Sequence, residues 1–345
     1  MGTVVNEMDR RGRPASAARR IRLRCAPRIL ALLPLVIGAG GIAWGQAAAE
    51  DLRADLPGKT VRSLKVFGED DRTLVGDTTR FPWSAIGLLE ARWYTTGPLY
   101  QVSSGTGALI GRSVVLTAGH CIYDPDRGWA DQVIFIPGKN GDDEPFGRAY
   151  STHTVSQRAW VEDQDARYDL AMIVLDEPLG EQTGHMEIAV QPTSFFINRN
   201  LNTAGYPGEE RPAGYQYLSS GPAIDVQDGL IRDTMDSEPG QSGSPVWYYE
   251  PEGEVRRLVG VLSGSREVVS DGQVVDSYNV AVHIDATFAG WINDTLAKYD
   301  NDTQPVSVTT THTTTPTTDP PPLCGSGAAL AAVPPMLLLF VRRRR

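Results

Sequence analysis

Through the middle of the chain, Val, Ile, Leu and Tyr gather in short clusters that Gly, Pro and Asn/Asp repeatedly interrupt. Ala85 to Leu89, Val114 to Leu116, Val133 to Ile136, Leu170 to Leu175 and Val246 to Tyr249 are such clusters. Runs this short, bounded by turn residues and rich in β-branched or aromatic side chains, read as strands. Pro137-Gly138, Asn140-Gly141 and Pro207-Gly208 supply the turns between them. One segment breaks the pattern. Phe288, Trp291, Ile292, Thr295 and Leu296 fall on one helical face, and Asp285 stands where a helix cap is needed. Many strands and one closing helix predict an all-β fold, built as barrels or a sandwich. The sequence contains no internal repeat.

Both ends read as address labels. Eight arginines between Arg10 and Arg28 precede the apolar run from Ile29 to Gly38, and small residues follow in Gly45-Gln46-Ala47-Ala48-Ala49. This is the layout of a secretory leader over residues 1–49, cut near Ala47 or Ala49. Arg19-Arg20-Ile21-Arg22-Leu23-Arg24 loosely resembles a twin-arginine export motif, with Arg22 where an apolar residue is usual. At the other end, residues 299–322 are dominated by Thr, Pro and Asp, which bury little apolar surface and predict an extended stalk. Residues 323–345 combine Leu323-Cys324-Gly325-Ser326-Gly327, an apolar stretch to Val341 and four arginines. They read as a sorting tag or a membrane attachment with its arginines inside.

Charge narrows the partners. Twelve of the 32 basic residues lie in the two terminal blocks, and among the 42 acidic residues only Glu7 and Asp9 precede residue 50. The body from 50 to 322 therefore carries about 20 net negative charges. Nucleic acid is excluded as a partner, because phosphate binding rests on clustered Lys and Arg. Cys25 lies in the leader and Cys324 in the tail, so Cys121 stands alone in the body and no disulfide forms there. Zinc-type metal clusters lack the ligands they need. Two acidic loops, Asp124-Pro125-Asp126 and Gly141-Asp142-Asp143-Glu144, offer carboxylates but read as solvated surface.

Three short segments carry chemistry. Leu116-Thr117-Ala118-Gly119-His120-Cys121 sets a histidine directly after an apolar strand, where a rigid framework fixes its imidazole. Gly240-Gln241-Ser242-Gly243-Ser244-Pro245 flanks a serine with glycines, permitting a tight turn whose amides converge on an oxyanion. Arg167-Tyr168-Asp169-Leu170 leads an apolar strand with a carboxylate, and a buried carboxylate demands a partner such as a histidine N–H.

In chain order, His120, Asp169 and Ser242 resemble the triad of trypsin-like serine peptidases, each within that family's local wording. The resemblance narrows at Val66-Phe67-Gly68-Glu69-Asp70-Asp71-Arg72, Phe81-Pro82-Trp83-Ser84-Ala85-Ile86, Gly105-Thr106-Gly107-Ala108-Leu109-Ile110-Gly111 and Gly205-Tyr206-Pro207-Gly208. These are similar to the bacterial glutamyl endopeptidase branch, from about Val66 to Leu296. The resemblance implies two six-stranded antiparallel β-barrels, residues 66–190 bearing His120 and Asp169 and residues 191–298 bearing Ser242 and the closing helix. It also implies acyl transfer from Ser242, with His120 as base, Asp169 as its orienting partner, and the Gly240 and Ser242 amides as oxyanion hole. No cofactor or metal is called for, the substrates are proteins or peptides, and a monomer is expected.

Two departures qualify the match. Digestive relatives keep an aspartate before the serine to receive a new N-terminal amine, and Gln241 stands there instead. Lys65-Val66 lies where relatives are cut, which makes residues 50–65 a candidate propeptide, with a structural N-terminal arm as the alternative. For specificity, Leu262 occupies the position of the pocket histidine of glutamate-selective relatives. Asp236 falls where trypsin keeps its Arg/Lys-binding aspartate, although this branch often carries an aspartate there for structural reasons, and Ser237 and Ser263 complete the expected pocket. His283 is a core histidine by this reading. It would serve as base only in an α/β-hydrolase, whose order of serine, acid and histidine the chain does not follow. A catalytically silent display module on the same barrels is the competing reading.

Overall fold

The computed structural model describes residues 2–8, 63–95, 99–251, 255–271, 273–300 and 307–308. The leader beyond residue 8, residues 50–62 of the candidate propeptide, nearly all of the stalk and the segment 323–345 lie outside the described residues. Among the described residues no helix is long and apolar enough to cross a membrane.

The fold is mostly β. After a short N-terminal strand β1 (Thr3–Glu7), six strands make the first barrel: β2 (Ile86–Tyr94), β3 (Tyr100–Leu109), β4 (Val114–Thr117), β5 (Gln132–Pro137), β6 (Ala149–Gln157) and β7 (Ala171–Leu175). They run in the order β5-β2-β3-β4-β7-β6, and pairing of Ile134 with Tyr150 and Phe135 with Ala149 closes the ring. The strands that the sequence marks most strongly are its buried heart. Every residue of β4 and of β7 is buried, as β-branched runs without polar alternation require when barrel interior and packing neighbours cover both faces.

Strand β8 (Glu187–Val190) leads into the second ring, formed by β9 (Asn200–Gly205), β10 (Tyr217–Gln227), β11 (Leu230–Asp233), β12 (Pro245–Glu250), β13 (Val255–Ser270) and β14 (Gln273–His283). The order is β12-β9-β10-β11-β14-β13, closed by β12 pairing with β13. The expected pair of six-stranded antiparallel barrels is therefore the observed architecture. Just before Gln191, Glu187 and Ile188 pair in parallel with Arg257 and Leu258 of the second ring.

The closing helix forms where its apolar spacing predicts it. Helix α2 (Ala286–Tyr299) is capped by Asp285, whose carboxylate accepts from the amides of Thr287 and Phe288 at 2.8 and 2.9 Å. Its buried residues are Phe288, Ala289, Trp291, Ile292, Thr295 and Leu296, the five read from the sequence together with Ala289. Each large apolar side chain buried there contributes roughly 1.5–3 kcal/mol. Past its end, Asp300 accepts from the amide of Ser113 at 2.9 Å and from its hydroxyl at 2.6 Å, and also from the amide of Arg112. The helix from the second half of the chain is thus latched to the β3–β4 turn of the first barrel.

One strand falls where the sequence predicts only leader. Thr3–Glu7 pairs antiparallel with His153–Gln157 on the edge of β6, and Asn6 donates to the Thr154 hydroxyl at 3.3 Å. Nothing in its composition separates it from an ordinary polar N-terminus; its alternation is too short to count.

Candidate active site

A cleft of 350 Å³ opens between elements of the two barrels, and His120, Asp169, Gly240, Ser242 and Ser263 all line it. His120 sits in the tight turn that ends β4, a buried strand with little freedom to shift. Its backbone amide donates to Asp169 Oδ1 at 2.8 Å, and its ring Nδ1 lies 2.7 Å from Asp169 Oδ2. A carboxylate only accepts, so Nδ1 carries the proton and Nε2 of the neutral ring is left with its lone pair. Trp160, on helix α1 (Arg158–Asp163), packs edge-on against the imidazole at 6.3 Å between centroids.

Asp169 stands just before β7 and is 2% exposed, so its charge needs every partner it has. A third donor completes the set: the Ser263 hydroxyl donates to Asp169 Oδ2 at 2.6 Å. Burial disfavours the charged His120 ring, but the adjoining Asp169 carboxylate outweighs it and holds the imidazole pKa well above its ordinary value.

Ser242 lies in a loop that only glycine lets the chain form. Gly240 and Gly243 have φ of 98° and 85°, and a Cβ at Gly240 would meet the Tyr206 carbonyl oxygen at 2.5 Å. Within this loop the amides of Gln241, Gly243 and Ser244 donate to the carbonyls of Glu238, Leu262 and Gln241. No carbonyl among the described residues accepts from the amides of Gly240 or Ser242. Thr106 fastens the loop from the first barrel, its amide donating to Ser242 O at 2.8 Å and its hydroxyl to Gly240 O at 2.9 Å.

The expected pocket residues separate. Ser263 reaches the cleft but serves Asp169. Asp236, read from the sequence as either a cation-binding pocket base or a structural carboxylate, is 3% exposed, and its two oxygens accept from the amides of Phe67 and Asp71 at 2.7 and 3.0 Å. Leu262 is fully buried in the core of the second ring. Ser237 is also fully buried, and its amide donates to the carbonyl of Lys65 at 3.1 Å. The cause is shared: the segment 63–72 lies along this wall. Asn279 pairs with both peptide groups of Lys65, accepting from its amide at 3.0 Å and donating to its carbonyl at 2.9 Å, and the Ser265 hydroxyl donates to Ser63 O at 2.5 Å. Ser63 and Leu64 themselves line the cleft.

Residues the sequence left unmarked also shape the site: Trp160, Ser103, Ser104 and Pro239 form its walls. Only Trp160 carried a signal, as a large aromatic side chain amid polar neighbours. His283 is placed elsewhere, packed on Phe196 and bonded through Nε2 to the Gln191 carbonyl at 3.1 Å, and burial lowers its pKa. The acidic loops are engaged internally, Asp124 with Arg127 at 2.9 Å and Glu144 with Arg148 and Lys139.

Comparison with known proteins agrees with this arrangement. The chain is 36% identical over 193 residues to the glutamyl endopeptidase of Bacillus licheniformis, covering 55% of this chain and 57% of that protein. It is 29% identical over 208 residues to the extracellular metalloprotease of Bacillus subtilis, covering 60% of this chain and 65% of that one. The chain thus spans about three fifths of the length of these relatives. Among solved structures, a Glu endopeptidase in complex with MPD superposes with a TM-score of 0.55 at 28% identity, over 67% of this chain and 99% of that one. The trypsin family model matches residues 90–292, more than half of the chain and a stretch that holds His120, Asp169 and Ser242, and the chain belongs to the trypsin family.

Proposed function

We propose that the protein is an exported serine endopeptidase, cleaving peptide bonds of protein substrates through an acyl-enzyme on Ser242. Ser242 Oγ attacks the scissile carbonyl carbon as its proton passes to Nε2 of His120. The oxygen that gains charge is met by the amides of Gly240 and Ser242. His120 then returns the proton to the departing amine as the C–N bond breaks, and a water repeats the sequence to release the acid. Asp169 fixes the ring and balances the imidazolium, with Ser263 holding the carboxylate from its other side. No step calls for a metal or cofactor.

The observation that carries this reading is the His120–Asp169 contact at 2.7 Å in the same cleft as Ser242, with the amides of Gly240 and Ser242 unbonded to any carbonyl of the described residues. The position of residues 63–65 supports a propeptide that ends at Lys65. They lie against Ser237, Ser265 and Asn279, so cutting at Lys65-Val66 exposes a polar slot beside the cleft. Recognition of a basic residue by Asp236 finds no support, because two backbone amides already hold its carboxylate. Export is supported by the leader-like N-terminus and by the word extracellular in the name of the Bacillus subtilis relative.

The test is hydrolysis of an unfolded protein by the expressed enzyme and its variants. Ser242→Ala abolishes it, whereas His283→Ala leaves most of it. Full hydrolysis by a clean Ser242→Ala preparation refutes the proposal.

A further inference from the structure

Behind the catalytic loop lies a buried charge cluster that the mechanism above does not use. The Arg72 side chain is fully excluded from solvent, yet each end of its guanidinium is occupied. Nη1 donates to Gln241 Oε1 at 2.6 Å, Nη2 donates to Glu238 Oε2 and Asp70 Oδ2 at 2.8 Å, and Nε donates to Asp70 Oδ1 at 2.9 Å. Glu238 turns its other oxygen to the amides of Glu209, Glu210 and Arg211 at 3.0, 3.0 and 3.3 Å. Arg211 closes the cluster on Asp70 at 2.8 Å. Two guanidinium groups and two carboxylates leave it electrically neutral, the condition under which a buried charge is tolerated. Asp236 straps the same segment to the same loop through the amides of Phe67 and Asp71.

Gln241 is the residue that links this cluster to the reacting atoms. It is fully buried, and it lies between Gly240 and Ser242, whose amides donate to no carbonyl among the described residues. Its Oε1 accepts from both Arg72 and the amide of Glu238, the latter at 3.1 Å. A guanidinium only donates, so the amide side chain has one orientation there. The glycines at 240 and 243 make the loop permissive in backbone conformation, and a permissive loop needs an anchor to hold a single shape.

Building on the oxyanion reading of this loop, we infer that Arg72 is a positioning residue for catalysis: through Gln241 it holds the Gly240 and Ser242 amides in place. The anchor is an internal side chain, so the loop is ordered whether or not the chain is cut at Lys65-Val66. Arg72 itself touches no substrate. Its contribution falls on the transition state, where the oxyanion forms, and not on substrate binding.

The test removes the link without stranding the charge. Gln241→Met takes away the acceptor while leaving Arg72 paired with Asp70 and Glu238, and Gln241→Glu restores an acceptor. Gln241→Met is expected to lower kcat by about 10- to 100-fold with KM within about twofold, short of the roughly 100- to 1000-fold typical of losing an oxyanion donor outright. Gln241→Glu is expected to recover most of that loss. Amide hydrogen exchange supplies a readout independent of activity: peptides covering 238–244 exchange faster in Gln241→Met, while those covering β4 and β7 do not change. Unchanged kcat and unchanged exchange in Gln241→Met overturn the inference, as does a loss confined to KM. If the unaltered enzyme hydrolyses nothing, the peptidase reading fails, and the exchange result still decides whether Arg72 and Gln241 order the loop.

Discussion

Replacing Ser263 with alanine separates the two ways in which Asp169 is supported. Asp169 accepts three bonds in a buried setting: the His120 amide at 2.8 Å, His120 Nδ1 at 2.7 Å and the Ser263 hydroxyl at 2.6 Å. Ser263→Ala removes only the third and leaves the ring tautomer of His120 fixed. A hydrogen bond to a charged group is worth about 1.5–3 kcal/mol, which sets a ceiling of roughly 10- to 100-fold on the rate. The expected loss falls below that ceiling, because the hydroxyl contacts the carboxylate in the ground state as well as in the transition state. Asp169→Asn is expected to cost far more, on the order of 10,000-fold, because the amide presents an N–H to Nδ1 and disturbs the tautomer. The assay is kcat on a peptide substrate at saturating concentration, with thermal melting recorded beside it. Equal losses in Ser263→Ala and Asp169→Asn refute the reasoning, since the tautomer would then not be what Asp169 controls.

Three further outcomes follow from the same contacts. The His120 pKa is held above the ordinary 6.5, and the base works only when neutral, so activity is lost as pH falls through a midpoint above 6.5; an acid limb centred below 6.5 contradicts this. Asp233 is fully buried, accepts among the described residues only from the Met235 amide at 2.9 Å, and burial pushes its pKa up to about 7. The folded state therefore holds a proton that the unfolded chain has lost, and stability declines as pH rises from about 4 to about 7. Asp233→Asn should melt higher than the parent at pH 8 and flatten that decline; an unaltered pH dependence of melting refutes it. Asp300→Ala leaves the Ser113 and Arg112 amides without their acceptor and should lower the melting temperature by on the order of 5–10 °C, whereas a shift under about 1 °C shows that the latch is idle.

What the sequence reveals depends on how local the physics is. The barrel strands are legible because β-branched runs such as Val114–Leu116 and Ala171–Leu175 have no polar alternation to confuse them. Helix α2 is legible because its cap and its apolar face lie within one short segment. The histidine, aspartate and serine are legible because each sits in its own recognisable turn. Long-range pairings are not. Ser263 and Asp169 are 94 positions apart, and serine in a strand has no mark that points to a distant carboxylate. Asp236 reads as a pocket base until the segment 63–72 folds over it and supplies two amides. Arg72 lies 169 positions from Gln241, within Glu69-Asp70-Asp71-Arg72, a run that by composition alone looks like solvated surface. For Asp236 and Arg72 the tertiary path of residues 63–72 decides the role, and no local pattern encodes that path.

The most direct test of the central claim is reaction of the enzyme with a fluorophosphonate, with the modified residue located by mass spectrometry. Such a probe needs an activated serine together with donors for the developing oxyanion. The account predicts a single label on Ser242 that disappears in Ser242→Ala and weakens sharply in His120→Ala. A label on Ser244, or none on the folded protein whether or not residues 50–65 have been removed, contradicts it.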